Sequence, residues 1–225
     1  MSYEYLLFNL FILAGPIVFS FDEKVCFVSY WKQALISIII IAIPFILWDS
    51  LVVHIHWWFN PQYTLSVRVL GLPIGELLFF ISVPFACLFV WQILVTFQEK
   101  KMIRFKGIIY AIAFSLAIAG IYFFIHHKIY TGLVCAVLVF TVMIDTFFRQ
   151  YILFQRRSGR FLLLVTGFIF VFNGYLTARP LVLYEERFMS GLRIWTIPIE
   201  DFGYGYSLVL LSVILYEYIK ERHYG

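Results

Sequence analysis

Two stretches of this chain place acids at the threshold of long apolar runs. "RIWTIPIEDFGYGYSLVLL" (193–211) carries Glu200 and Asp201, and "RVLGLPIGELLFFISVPFA" (68–86) carries Glu76. Pro73 and Pro198 suit the first turn of a helix, where a missing N–H costs nothing, so all three acids fall in first turns. Asp49, in "LWDS", sits at the same end of another apolar run. Four acids therefore share one depth, on helices expected to be neighbours. A carboxyl in dry surroundings can be kept as the acid and lend its proton, while a neighbour stays anionic. The ordinary alternative is that these acids cap helices or pair with Arg68, Arg193 and Arg179. Pairing and catalysis are compatible, since an arginine can hold one acid ionised beside a protonated one.

Aromatic residues crowd the same end: Trp48, Trp57, Trp58, Phe59, Tyr63, Phe79, Phe80, Tyr184, Trp195, Phe202, Tyr204 and Tyr206. An interfacial belt explains many of them. A π-face also shelters a cation, and Phe79, Phe80, Phe202 and Tyr204 follow the acids closely enough that some share their helical face. "HIHWWFNP" (54–61) has the look of a metal site, with His126 and His127 on the same side. It lacks a carboxylate-plus-histidine pattern at helix spacing, and no metal is expected. No phosphate loop, nucleophile elbow or dinucleotide fingerprint is present. Cys26, Cys87 and Cys135 have no ligand spacing and read as small apolar residues.

Apolar segments must position these groups. The 225 residues are 63% apolar, 13% charged and 21% aromatic, against about a quarter charged in an ordinary soluble domain. The expected class is an all-α polytopic membrane protein. Seven stretches reach membrane length, at about 3–20, 33–50, 73–97, 106–125, 129–147, 161–179 and 200–219. The first lacks a basic leader and a cleavage site and reads as a retained span. Twelve Lys and Arg collect in the loops of one side. That places the N-terminus outside and the C-terminus in the cytoplasm of a cell-membrane protein. A net charge of +4 is too diffuse to imply nucleic acid.

Sliding the chain by 125 residues lays Arg68 on Arg193, Pro73 on Pro198, Ile74 on Ile199 and Glu76 on Asp201. The expected plan is 3+1+3: a first three-helix repeat over 1–100, a linker helix over 101–127 and a second repeat over 128–225, together one membrane domain. An odd linker makes the triplets parallel, with a site between the halves.

Buried protonatable acids, many π-faces and no cofactor motif match a reaction that protonates an alkene and shelters the carbocation. A rhodopsin is excluded by the lack of a mid-span lysine. A small 3+1+3 carrier of the SWEET type is the rival, disfavoured by few mid-span polar residues and by acids gathered at one end. An inactive structural membrane partner is the third reading.

"LPIGELLFF" followed by "VPFACLFV", and "TARPLVLYEERFMSGLRIWTIPIEDFGYGYSLVLL" ending in "LYEY", resemble the integral-membrane lycopene cyclase domain family of bacteria, archaea and fungi, over essentially the whole chain. The first half departs from the family's Pro-x-Glu-Glu motif: Gly75 stands where one acid is expected. The resemblance implies lycopene β-cyclase activity, a non-redox isomerisation of acyclic ψ ends to β-ionone rings with no cofactor. It implies lycopene or a related carotene as substrate within the bilayer, with association with a second copy or other carotenoid enzymes left open. The catalytic candidates rank as Glu200 and Asp201, then Glu76, then Asp49. The substrate-binding candidates are Arg193, Arg68, Arg179, Phe79, Phe80, Phe202, Tyr204, Trp48 and Asn60.

Overall fold

The computed structural model describes residues 3–224. Seven helices form an all-α bundle: α1 (Glu4–Phe19), α2 (Trp31–Val52), α3 (Ile74–Phe97), α4 (Gly107–Ile125), α5 (Ile129–Phe147), α6 (Arg156–Ala178) and α7 (Ile199–Tyr224). Six of them are long and apolar enough to cross a membrane; α1, with 16 residues, is shorter. At 1.5 Å per residue α1 covers about 24 Å, less than the roughly 30 Å of a hydrocarbon core. The seven expected spans are thus six long helices and one short apolar one. Leu163, Phe114 and Phe147 are among the large apolar side chains left on the outside, where a bilayer would cover them.

Helix ends differ from the expectation where charge obscures the apolar signal. α6 begins at Arg156, five residues before the expected 161, because its first turns carry Arg156, Arg157 and Arg160. α7 likewise runs past the expected 219 through Lys220, Glu221 and Arg222.

α3 and α7 touch at the centre of the bundle. α1 packs on α3 and α5 on α7; α2 lies against both α3 and α7, α6 contacts both as well, and α4 leans on α5. Trp91, Phe161, Val213 and Tyr216 are fully buried in the largest core cluster. Near the end away from the acids, Trp91 Nε1 donates to Glu217 Oε1 at 3.0 Å and Tyr216 donates to Gln92 at 2.8 Å. These bonds tie α3 to α7 there.

Short strands cap the acid end. β1 (Trp57–Phe59) pairs with β4 (Val182–Tyr184), while β2 (Arg68–Val69) with β3 (Leu72–Pro73) and β5 (Arg193–Ile194) with β6 (Ile197–Pro198) form two hairpins. Each hairpin turns in two residues. Leu70 and Gly71 both have positive φ, 53° and 81°, the backbone a two-residue type I′ turn demands. The prolines end β3 and β6 and hand the chain directly to α3 and α7.

The helices of the two triplets begin at Glu4, Trp31 and Ile74, and at Ile129, Arg156 and Ile199, each pair separated by the 125-residue step found in the sequence. β1 and β4 follow the same step and pair antiparallel, with Trp58 opposite Leu183 at the middle. A strand paired about its own counterpart is self-complementary.

Candidate active site

α3 and α7 are each entered from a two-residue hairpin of the same register, and Glu76 and Asp201 stand in their first turns, one 125-residue step apart. Asp49 arrives from the last turn of α2. All three carboxyls are buried and line one cavity walled by α3, α6 and α7, beneath β1 and β4. The cavity volume is about 90 Å³. The remaining wall is apolar and aromatic, including Phe79, Val83, Phe168, Ile169, Phe172 and Val209.

Each cavity carboxyl is held by a phenol. Tyr5 donates to Glu76 Oε2 at 2.5 Å, and Tyr204 donates to Asp49 Oδ1 at 2.9 Å. Asp201 receives three donors: Tyr130 on Oδ1 at 3.3 Å, with Tyr184 at 2.7 Å and Asn173 at 3.4 Å on Oδ2. Tyr5 and Tyr130 occupy equivalent positions in the two triplets. Burial, followed by the nearby Asp201 carboxylate, raises the Tyr184 phenol well above its ordinary range. It therefore remains a donor throughout the working pH range.

Glu200 faces elsewhere. It is buried but does not line the cavity; its Oε1 accepts from Thr131 Oγ1 at 2.5 Å and from the Ser190 backbone N–H at 2.7 Å, while Oε2 has no partner. It ties α7 to α5 and to the loop ahead of β5. In the first triplet its counterpart is Gly75, and a Cβ there would stand 2.6 Å from Cδ1 of Tyr5. The ring that binds Glu76 occupies the space an additional acid would need.

The arginines lie apart from the four acids. Arg68 donates to Leu65 O and Thr64 Oγ1, Arg193 to Thr196 O and Glu186, and Arg179 to Glu4. Arg68 and Arg193 brace their own loops and Arg179 ties the end of α6 to the start of α1, while the Arg193 guanidinium lies 5.8 Å from the ring centre of Tyr184. Phe79 and Tyr204 line the cavity; Phe80, Phe202, Trp48 and Asn60 do not. Phe80 packs with Ala42 and Phe45, and Phe202 edges onto Phe170. Trp48 packs against His56, and Asn60 organises its own turn by accepting from the Gln62 N–H.

Sequence reasoning missed Tyr5, Tyr130 and Asn173 as partners of the acids, and Thr131 and Ser190 as partners of Glu200. For the two tyrosines a signal existed: the 125-residue step aligns them. Among the described residues no group of His, Cys, Asp and Glu is arranged to hold a metal. His56 packs on Phe188 with ring centres 4.3 Å apart, and burial, with Arg187 contributing, lowers its pKa from 6.5.

Six helices long and apolar enough to cross a membrane, with an apolar cavity that carries carboxyls at one end, mark an integral membrane protein. The family model described as Lycopene cyclase matches residues 2–94 and again residues 127–219. The chain belongs to that family, whose members are carotenoid cyclases. No curated protein and no solved structure matches the chain.

Proposed function

We propose that the protein is a lycopene β-cyclase acting by proton transfer inside the membrane. One observation carries the reading: three carboxyls, each gripped by a phenol, close one end of an apolar slot. An acyclic ψ end lies with its C1=C2 bond at the carboxyls. A carboxylic acid adds its proton to C2 and leaves the cation at C1. The C5=C6 bond attacks, forming C1–C6 and moving the cation to C5. Loss of the C6 proton to a carboxylate restores C5=C6 and completes the β ring. One proton enters and one leaves, so the product is an isomer of the substrate.

The donor pattern divides the labour. An ionised carboxylate only accepts hydrogen bonds, and Asp201, with three donors, suits the anion that faces the cation and takes the final proton. Glu76 and Asp49, with one phenol each, keep an oxygen free to carry the acid proton. Phenol faces and Phe79 stabilise charge as it develops, and the apolar walls exclude water that would capture the cation as an alcohol. Glu200 is a positioning residue in this scheme.

We further read the two triplets as a duplicated unit about an axis along the membrane normal. The common 125-residue step and the self-complementary β1–β4 register support it. The basic loops support a cytoplasmic C-terminus at the cell membrane.

The test is expression in cells that accumulate lycopene, followed by separation of the pigments. Ring-bearing carotenes are expected from the wild type, and unchanged lycopene from Asp201→Asn at equal membrane abundance. Unchanged lycopene with the wild type, present in the membrane at normal amount, contradicts the reading.

A further inference from the structure

A cluster of cations lies at the end of the bundle away from the acids. Gln98 and Lys101, beyond the end of α3, and Arg156, Arg157 and Arg160, in the first turns of α6, line a cleft of about 700 Å³. Backbone bonds between two loops fix its walls. The Arg156 N–H donates to Lys101 O at 2.7 Å, and the Ile103 N–H to Phe154 O at 2.8 Å. Arg157 is buried in the floor: its Nε donates to Gln155 Oε1 at 2.7 Å, and its guanidinium carbon lies 5.1 Å from the ring centre of Trp91. Arg156 and Arg160 are exposed, four residues apart on one face, and neither has an ion-pair partner among the described residues.

Little in the fold offsets this charge. Glu99 is the one acid in the lining, and Lys101 already pairs with it at 2.8 Å. Membrane topology accounts for cations in the loops of one side. It does not call for a buried guanidinium, or for two loops bonded into a cleft. Just beyond the cleft the same helix face turns apolar. Leu163 and Leu164 follow Arg160 by three and four residues and are exposed, as is Phe97 in the lining. Phosphate next to hydrocarbon is the chemistry of a phospholipid, and a basic pocket at a helix end suits an anionic headgroup.

We propose that this cleft binds the headgroup of an anionic phospholipid, with the phosphate on Arg156 and Arg160 and an acyl chain along Leu163 and Leu164. The site is independent of the cyclase reading. Arg157 connects it to the bundle, because Trp91, against its guanidinium, donates to Glu217 and so joins α3 to α7. A bound lipid therefore stabilises the end of the bundle opposite the carboxyls.

The experiment titrates the purified full chain in detergent with dioleoyl phosphatidylglycerol, dioleoyl phosphatidylcholine or inorganic phosphate. Bound lipid is counted by native mass spectrometry, and the melting temperature is followed in parallel. One cation at an anionic headgroup is worth about fivefold in affinity. The wild type is expected to retain one phosphatidylglycerol at least about tenfold more tightly than phosphatidylcholine, and to melt higher with phosphatidylglycerol alone. Arg156→Gln with Arg160→Gln is expected to lose about 25-fold in phosphatidylglycerol affinity. Lys24→Gln with Lys106→Gln removes equal charge outside the cleft. At 0.15 M salt, where exposed charges beyond about 8 Å are largely screened, that pair is expected to stay within about twofold of the wild type.

Equal retention of the two lipids by the wild type overturns the proposal, as does a loss in the lysine pair as deep as that in the arginine pair. Inorganic phosphate that binds as tightly as phosphatidylglycerol shows a site for free anions and overturns the choice of a lipid. All four substituted side chains are exposed, and melting temperatures without lipid check that the variants fold. If the arginine pair does not fold, Arg160→Gln alone decides: a loss of about fivefold supports the site, and unchanged affinity overturns it.

Discussion

At the scale of single residues, the account turns on which oxygens have partners. Asp201 has donors on both oxygens, while Glu76 and Asp49 each have one phenol. Removing a group that gives or takes a proton costs about 10²- to 10⁴-fold. Asp201→Asn and Glu76→Gln are each expected to lose ring formation by that much, measured as product per amount of folded protein. Glu200→Gln keeps an acceptor for Thr131 and Ser190 and is expected to stay within about tenfold of the wild type, since the carboxyl is outside the cavity. A fall as deep as that of Asp201→Asn would return Glu200 to the chemistry. The acids were legible in the sequence because charge is rare in an apolar chain. Their phenol partners were not picked out, because the chain holds 15 tyrosines and only the 125-residue step sets Tyr5 and Tyr130 apart, while nothing distinguishes Tyr184 from an interfacial belt. The arginines misled for a related reason. Pairing with the acids was the ordinary alternative, but Arg68 and Arg193 are occupied in their own loops and Arg179 pairs with Glu4 on α1.

Among the elements, the helix starts were readable from Pro73 and Pro198, while the short hairpins before them and the β1–β4 pairing were not, the latter because it joins segments far apart in the chain. Gly75 shows how an element's packing reverses a reading made from motif alone. A missing acid implies a weakened first half; the structure instead puts the Tyr5 ring against that backbone, within reach of Glu76. Gly75→Glu, which restores the family's usual pair, is therefore expected to displace Tyr5. Overpacking of this kind destabilises by about 1–3 kcal/mol, and ring formation should fall rather than rise; thermal unfolding and pigment analysis check both. His56 sits in the same cap. A histidine held neutral below its ordinary pKa adds stability above the unfolded value near 6.5, which is lost as pH falls through the lower folded value. Acidification from pH 7.5 to 5.5 is expected to lower the melting temperature of the wild type more than that of His56→Gln.

Over the whole molecule, one spacing of 125 residues relates helices, strands and acids in the two halves of the chain. The family model matches twice, over segments of equal length, and helices and strands recur at one step. Where the halves agree, they set Glu76 beside Tyr5 and Asp201 beside Tyr130. Where they differ, Asp49 stands against Gly174, and the cavity takes its third carboxyl from the first triplet alone. The 125-residue step was visible in the sequence because its acids and prolines are conspicuous.

The central claim, proton transfer from a buried carboxyl to C2 of a ψ end, is tested most directly by turnover of lycopene in heavy water. Each carboxyl exchanges with solvent between turnovers, so the account predicts one deuterium at C2 of every new ring and a mass one unit higher per ring. Rings formed without deuterium at C2 would contradict it.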